Sequence, residues 1–96
     1  MKTVTTEQLA DAERYIREKN APEDRWLLET GVQWFKITDV AGKLFGMSGD
    51  AITTVATRGE IPGAVLPSKQ TGWRLPWSGL AYYIATQRRA QEKAAG

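Results

Sequence analysis

The chain has 96 residues, 42% of them hydrophobic, with four Trp, three Tyr and two Phe; that suffices for one compact core and excludes a disordered chain. It contains neither Cys nor His, which excludes a disulfide framework, a thiolate nucleophile, Cys- or His-ligated metal sites and the usual general base near neutral pH. The formal charge of +2 is divided unevenly: five basic residues face seven acidic ones over 1–30, and eight face four over 31–96.

Met1-Lys2-Thr3-Val4 runs into polar residues, so no signal peptide is expected. No stretch approaches the roughly 20 apolar residues that span a bilayer. A soluble, cytoplasmic protein without a membrane partner is the expectation. The first helix is predicted from Thr6 to Lys19. Thr5 and Gln8 fit a reciprocal capping box, and Leu9, Ala12 and Ile16 recur on one face. Acids lie early and bases late, which complements the helix dipole. The apolar face is narrow, so this helix either packs on the domain or is left to bind a partner.

Asn20-Ala21-Pro22 breaks the pattern, and Pro22-Glu23-Asp24 suits the first turn of another helix, closed by Gly31. Gln33 to Ile37 is β-prone, with Phe35 and Ile37 on one side. Thr38 is expected to cap the next helix. Its buried stripe would be Val40, Ala41, Leu44 and Phe45, with Gly46 ending it in the left-handed conformation. Met47 plugs the turn.

Ser48 caps a further helix, which Gly59 stops. Ile52, Val55 and Ala56 face inward; Gly49, Thr53, Thr54 and Thr57 face outward, with Arg58 at the end. Ile52 to Val55 is β-branched throughout, so intrinsic propensity alone would permit a strand. The cap, the stop and the 3–4 spacing favour helix. Glu60 to Pro67 reads as extended, Ser68 to Gly72 as a polar loop tip, and Trp73 to Pro76 as a returning strand. In that strand Trp73 and Leu75 share a face opposite Arg74. Trp77-Ser78 opens the last helix, whose apolar face is Leu80, Tyr83 and Ile84. The Ala94-Ala95-Gly96 tail is expected to fray.

Helix, tight turn, helix and a two-stranded projection form a shape that enters a DNA groove. Small outward residues let a helix backbone approach closely. Thr hydroxyls can bond phosphates or base edges, and the helix start at Ser48 can offer N–H groups to a phosphate. A plain solvated face explains the same residues. Lys69 at the loop tip, flanked by Gln70 and Thr71, can reach phosphates, or it can serve as a gatekeeping charge. Arg74 can do the same, or pair with Glu60 across the hairpin. Arg88, Arg89 and Lys93 can track phosphates, or simply complement the dipole of the last helix. The four Trp are expected in the core or at its edge rather than as base-stacking platforms. No paired carboxylates, nucleophile–base pair, Walker loop or zinc motif is present, so neither an enzyme nor a cofactor or metal is expected.

Val40-Ala41, Leu44, Gly46-Met47-Ser48, Arg58-Gly59-Glu60-Ile61-Pro62 and Trp73-Arg74-Leu75-Pro76 occur in an order that resembles the excisionase and MerR-like winged helix-turn-helix domains. The resemblance covers about half of the chain, from Phe35 to Ile84. It implies double-stranded DNA as the partner, read by helix 48–58 and wing 66–75. It also implies phage or mobile-element excision beside an integrase or recombinase, or transcription control. Excisionases bend DNA and bind it as adjacent copies. The site residues carried forward are Ser48, Gly49, Thr53, Thr54, Thr57, Arg58, Lys69, Gln70, Thr71 and Arg74. Three departures stand out. Thr53-Thr54 replaces an aromatic or basic pair, Gly79 replaces an acid, and residues 1–34 have no counterpart in the minimal family. The absence of a coiled coil or effector domain after the last helix argues against a full MerR-type regulator.

The expected fold class is therefore mainly α with a small β-hairpin wing (α+β). It comprises an N-terminal helical extension over 1–34 and a winged helix-turn-helix domain over 35–96, monomeric in free solution. The expected function is an excisionase-like accessory factor. The alternatives are a small transcriptional regulator on the same fold and, from another class, an interaction module for a recombinase or packaging enzyme.

Overall fold

The computed structural model describes residues 3–95. The signal-peptide reading rests partly on Met1 and Lys2, which lie outside the described residues, as does Gly96 at the tail. Helix α1 spans Thr6–Lys19. The capping box forms as expected: Thr5 Oγ1 accepts the Gln8 N–H at 3.1 Å, and Gln8 Oε1 accepts the Thr5 N–H at 3.0 Å. Ala12 and Ile16 are buried, and so is Tyr15, which the expected stripe omitted. The chain then makes a 3-10 turn at Pro22–Asp24 and a short helix α2 at Arg25–Glu29.

Strand β1 (Trp34–Lys36) leads directly into α3 (Ile37–Val40), a single helical turn. The helix expected to run from a Thr38 cap to Phe45 is not formed. Asp39 instead reaches back and accepts the Lys36 N–H at 2.9 Å, so the turn begins before Thr38. Gly42 (φ +80°) and Phe45 (φ +53°) then leave the right-handed region, which no helix can follow. Val40 and Leu44 stay buried, Phe45 is half-buried and Ala41 is exposed. Gly46 does adopt positive φ (+68°), but in the connecting loop rather than at a helix end. Phe45 tolerates its left-handed backbone because its ring is held edge-on to Tyr83 at 6.0 Å, under the Arg88 guanidinium at 4.5 Å.

Helix α4 (Gly49–Thr57) forms despite its β-branched run. Ser48 caps it, accepting the Ala51 N–H at 3.2 Å, and Ile52, Val55 and Ala56 are buried. Strand β2 (Arg74–Pro76) follows, and α5 spans Trp77–Ala95. Ala94 and Ala95 are the last residues of this helix.

The sheet corrects the expected hairpin. β2 pairs antiparallel with β1, in the register Trp34↔Pro76, Phe35↔Leu75 and Lys36↔Arg74. From the stretch 60–67 only Val65 bridges to β2, opposite Arg74. Pro62 and Pro67 have no N–H to give a ladder, and Ile61 turns into the core. The result is a mainly helical α+β fold around one apolar cluster. Ile16, Leu27, Phe35, Val40, Ile52, Leu75 and Leu80 meet there, so the N-terminal helices share the core with the rest.

Gly79 sits where that core is tightest. A Cβ on it would stand 2.1 Å from the Pro62 carbonyl oxygen and 3.2 Å from Pro76 Cγ. The loop after α4 lies directly on the first turn of α5, and only glycine fits between them. Trp26, Trp73 and Trp77 line the core edge as expected. Trp34 does not: β1 alternates, Phe35 takes the inner face, and Trp34 is left 52% exposed.

Candidate nucleic-acid interface

The residues singled out from sequence fall into two groups. The first lies on α4. Thr53, Thr54 and Thr57 are exposed, Gly49 is partly so, and Arg58 is the C-cap. All three threonines turn their hydroxyl protons into the helix. Thr53 donates to the Gly49 carbonyl at 2.9 Å, Thr54 to that of Asp50 at 3.0 Å, and Thr57 to that of Thr53 at 2.8 Å. This satisfies hydroxyls that would otherwise compete with the backbone. Outward, the face offers methyl groups and oxygen lone pairs. Such a face suits base-edge donors and thymine methyls, but not phosphate oxygens. Asp50 is exposed one turn from Thr54, which places a negative charge at the helix start. Positive charge must therefore come from elsewhere.

The second group lies on the loop over 66–73 and the start of β2. Ser68 Oγ donates to Thr71 Oγ1 at 2.8 Å and accepts the Thr71 N–H at 3.0 Å, and the Gly72 N–H closes the loop on the Ser68 carbonyl at 3.0 Å. Lys69, Gln70 and Thr71 are exposed on this closed tip. Arg74 begins β2, held to Val65 by two main-chain hydrogen bonds of 2.8 and 3.0 Å. The end of α4 and the loop that follows it border a cleft of about 340 Å³ lined by Ala56, Gly59, Pro62, Gly63 and Trp73. The ion pair between Arg74 and Glu60 does not form; Glu60 lies 3.9 Å from Arg58 instead. Among the described residues, neither Lys69 nor Arg74 has an ion-pair partner.

Arg88 and Arg89, read as possible phosphate contacts, are engaged inside the protein. Arg88 binds the buried carboxylate of Asp24 through two nitrogens, both at 3.1 Å, and Glu23 at 3.1 Å. Arg89 binds Asp11 at 2.8 Å and lies over the Tyr15 ring. Its hydrogen bond holds the Asp11 carboxyl below the usual carboxylate range. Burial, followed by the neighbouring Glu92, pushes the Tyr15 phenol up.

Sequence reading missed Lys36 and Trp34. Both are exposed on the face of β1 opposite Phe35. The alternation around Phe35 contained that signal. The pairing of Lys36 with Arg74 did not show, because β2 was assigned a different partner. Among the described residues no group of His, Cys, Asp and Glu could hold a metal ion, and no helix is long and apolar enough to cross a membrane. Comparison with protein-family models, curated proteins and solved structures finds no match to this chain.

Proposed function

We propose that the chain is a DNA-binding protein of winged helix-turn-helix type, acting as an excisionase-like accessory factor in the recombination of a phage or mobile element. The observation that carries the reading is the sheet register. β2 returns from the proposed wing to pair with the strand immediately preceding α3 and α4, so one unit carries both a capped helix with a polar outer face and a loop with cations free of ion pairs. That unit supports insertion of α4 in a major groove, with the wing on the flanking backbone. An integrase and adjacent copies of the chain are the partners this role implies.

Fluorescence anisotropy on random and candidate-site duplexes tests it. Affinity should fall steeply with salt, with a slope set by the phosphates neutralised. Lys69→Ala should weaken binding to all sequences alike. Absence of binding at low salt would sink the proposal. A bend measured by circular permutation would favour an excisionase over a plain repressor. One observation favours a second reading, an interaction module for a recombinase or packaging enzyme: Val32 is 44% and Trp34 52% exposed. Retention of a recombinase without DNA, lost in Trp34→Ala, would support it.

A further inference from the structure

Lys36 and Arg74 occupy directly opposed positions on β1 and β2. Arg74 gives its main-chain N–H and C=O to Val65 on its other side, and the Lys36 N–H goes to Asp39. The pair is therefore of the non-hydrogen-bonded kind, in which the Cα atoms approach to about 4.5 Å and the side chains lie closest. Opposed residues project from the same face, so two cations stand side by side. Like charges in that position destabilise a sheet. Neither has an ion-pair partner among the described residues. Asp39, whose carboxylate accepts the Lys36 N–H, makes no ion pair with either side chain. Arg74 is partly buried as a residue.

We propose that Lys36 and Arg74 form a clamp for a single DNA phosphate, a third contact beside α4 and the wing tip. The clamp rests on the DNA-binding reading and deepens it. An arginine fork can take the two non-bridging oxygens of a DNA phosphodiester, which share its single negative charge, while the lysine ammonium adds a point charge beside one of them. The location fits. Lys36 is followed by Ile37, whose Cγ2 stands 3.4 Å from where a Cβ of Gly49 would be, so α3 joins the strand that carries Lys36 to the first turn of α4. Phosphate at this point would fix the register of that helix on the duplex. The two cations would also supply a positive contact that the Asp50-bearing helix start lacks.

The test uses the full chain and a fluorescein-labelled duplex in a salt titration, comparing wild type with Lys36→Gln, Arg74→Gln and the double variant. The slope of log K against log salt should fall by about 0.9 in the double variant, one phosphate's worth. An unchanged slope overturns the clamp. So does a fall of about 1.8, which would mean two separate phosphates. Thermal melting without DNA supplies the second readout. Removing one of two repelling cations should leave the melting temperature unchanged or raise it, whereas a drop in Lys36→Gln would mark a structural residue and overturn the assignment. If wild type fails to bind any duplex at low salt, the DNA-binding reading has failed, not merely the clamp. Binding to a glutamate-rich peptide in place of DNA, lost in the double variant, would reassign the pair to an acidic partner.

Discussion

The cations on the helical side of the molecule and those on the sheet and wing are chemically alike but face different surroundings. Arg88 is folded into Asp24, Glu23 and the Phe45 ring. Arg89 is tied to Asp11, and Lys19 lies 3.0 Å from Glu92. Lys36, Lys69 and Arg74 have no such partners among the described residues. The acidic surplus of the N-terminal third and the basic surplus of the rest therefore cancel partly in space, where α1 and the 3-10 turn meet α5. Lys36, Lys69 and Arg74 are among the described cations left without an ion pair, as are Arg25, Lys43 and Lys93. Charge counted along a chain thus overstates the basic field of α5 and understates that of β1.

Breaking the helical side should cost the most stability. Asp24 is only 5% exposed, and Arg88→Met would leave its carboxylate buried without a partner. Removing one member of a buried pair costs several kcal/mol; because Arg88 is itself partly in water, about 3 kcal/mol is expected, read by urea denaturation. Pairing Arg88→Met with Asp24→Leu should restore most of it, since an apolar pair of similar volume tolerates burial. The salt slope of DNA binding should not change. A slope reduced by Arg88→Met would place that arginine on the DNA and undo the division between the two sides.

Gly79→Ala probes the joint between them. The added Cβ meets the Pro62 carbonyl oxygen at 2.1 Å, so the loop that carries the wing must shift off α5. Overpacking of this kind costs about 1–3 kcal/mol, and each kcal/mol lowers the melting temperature by about 4–8 °C in a domain of this size. On the proposed DNA-binding reading, affinity should weaken along with stability, because the displaced loop leads towards the tip that carries Lys69. A variant that melts normally would mean that the loop has room to yield.

These two sites also show what the sequence could and could not disclose. The limits of α1, the Ser48 cap and the inward face of α4 were legible because each depends on neighbours within one helical turn. The shortened α3 was not: it ends where Ala41 turns extended (ψ 131°), ahead of Gly42 and Phe45 at positive φ in a loop closed by the Gly42 N–H on the Met47 carbonyl at 2.8 Å. The pairing of β2 with β1 is likewise non-local, and two prolines hid it by making 60–67 look extended without enabling it to form a ladder. Gly79, read only as a departure from a familiar acid, proves to be a packing requirement. In the candidate site, the positions of the threonines were readable. The direction of their hydroxyl protons and the opposition of Lys36 and Arg74 needed coordinates.

The exposed ion pairs of α1 and α5 should contribute less, and only over an acid window. Hydrogen bonding to Arg89 lowers the Asp11 carboxyl from its ordinary 3.8, against some desolvation and with help from Arg14. A depressed folded-state value gives stabilisation that is complete above the unfolded value and lost as pH falls through the folded one. Asp11→Asn should accordingly narrow the difference in unfolding free energy between neutral pH and roughly pH 3, while leaving DNA affinity at neutral pH alone. A variant with the wild-type acid profile would show that Arg89 draws no stability from this contact.

The smallest effect on stability, and the sharpest on recognition, should come from α4. Thr53 donates its proton to the Gly49 carbonyl, so its outward chemistry is a methyl group and a lone pair. Thr53→Val keeps the branched shape and removes the oxygen, whereas Thr53→Ala removes both. Each should change stability by no more than about 0.5 kcal/mol, as surface substitutions do. Neither carries charge, so neither should alter the salt slope, in contrast to Lys36→Gln with Arg74→Gln. Selection from a pool of randomised duplexes then separates three outcomes. If both variants lose the wild-type preference, the oxygen accepts a hydrogen bond from a base amino group. If only Thr53→Ala loses it, the methyl is read against thymine. If neither changes, α4 merely supports the wing, and the specificity of the interface must be sought on the sheet side.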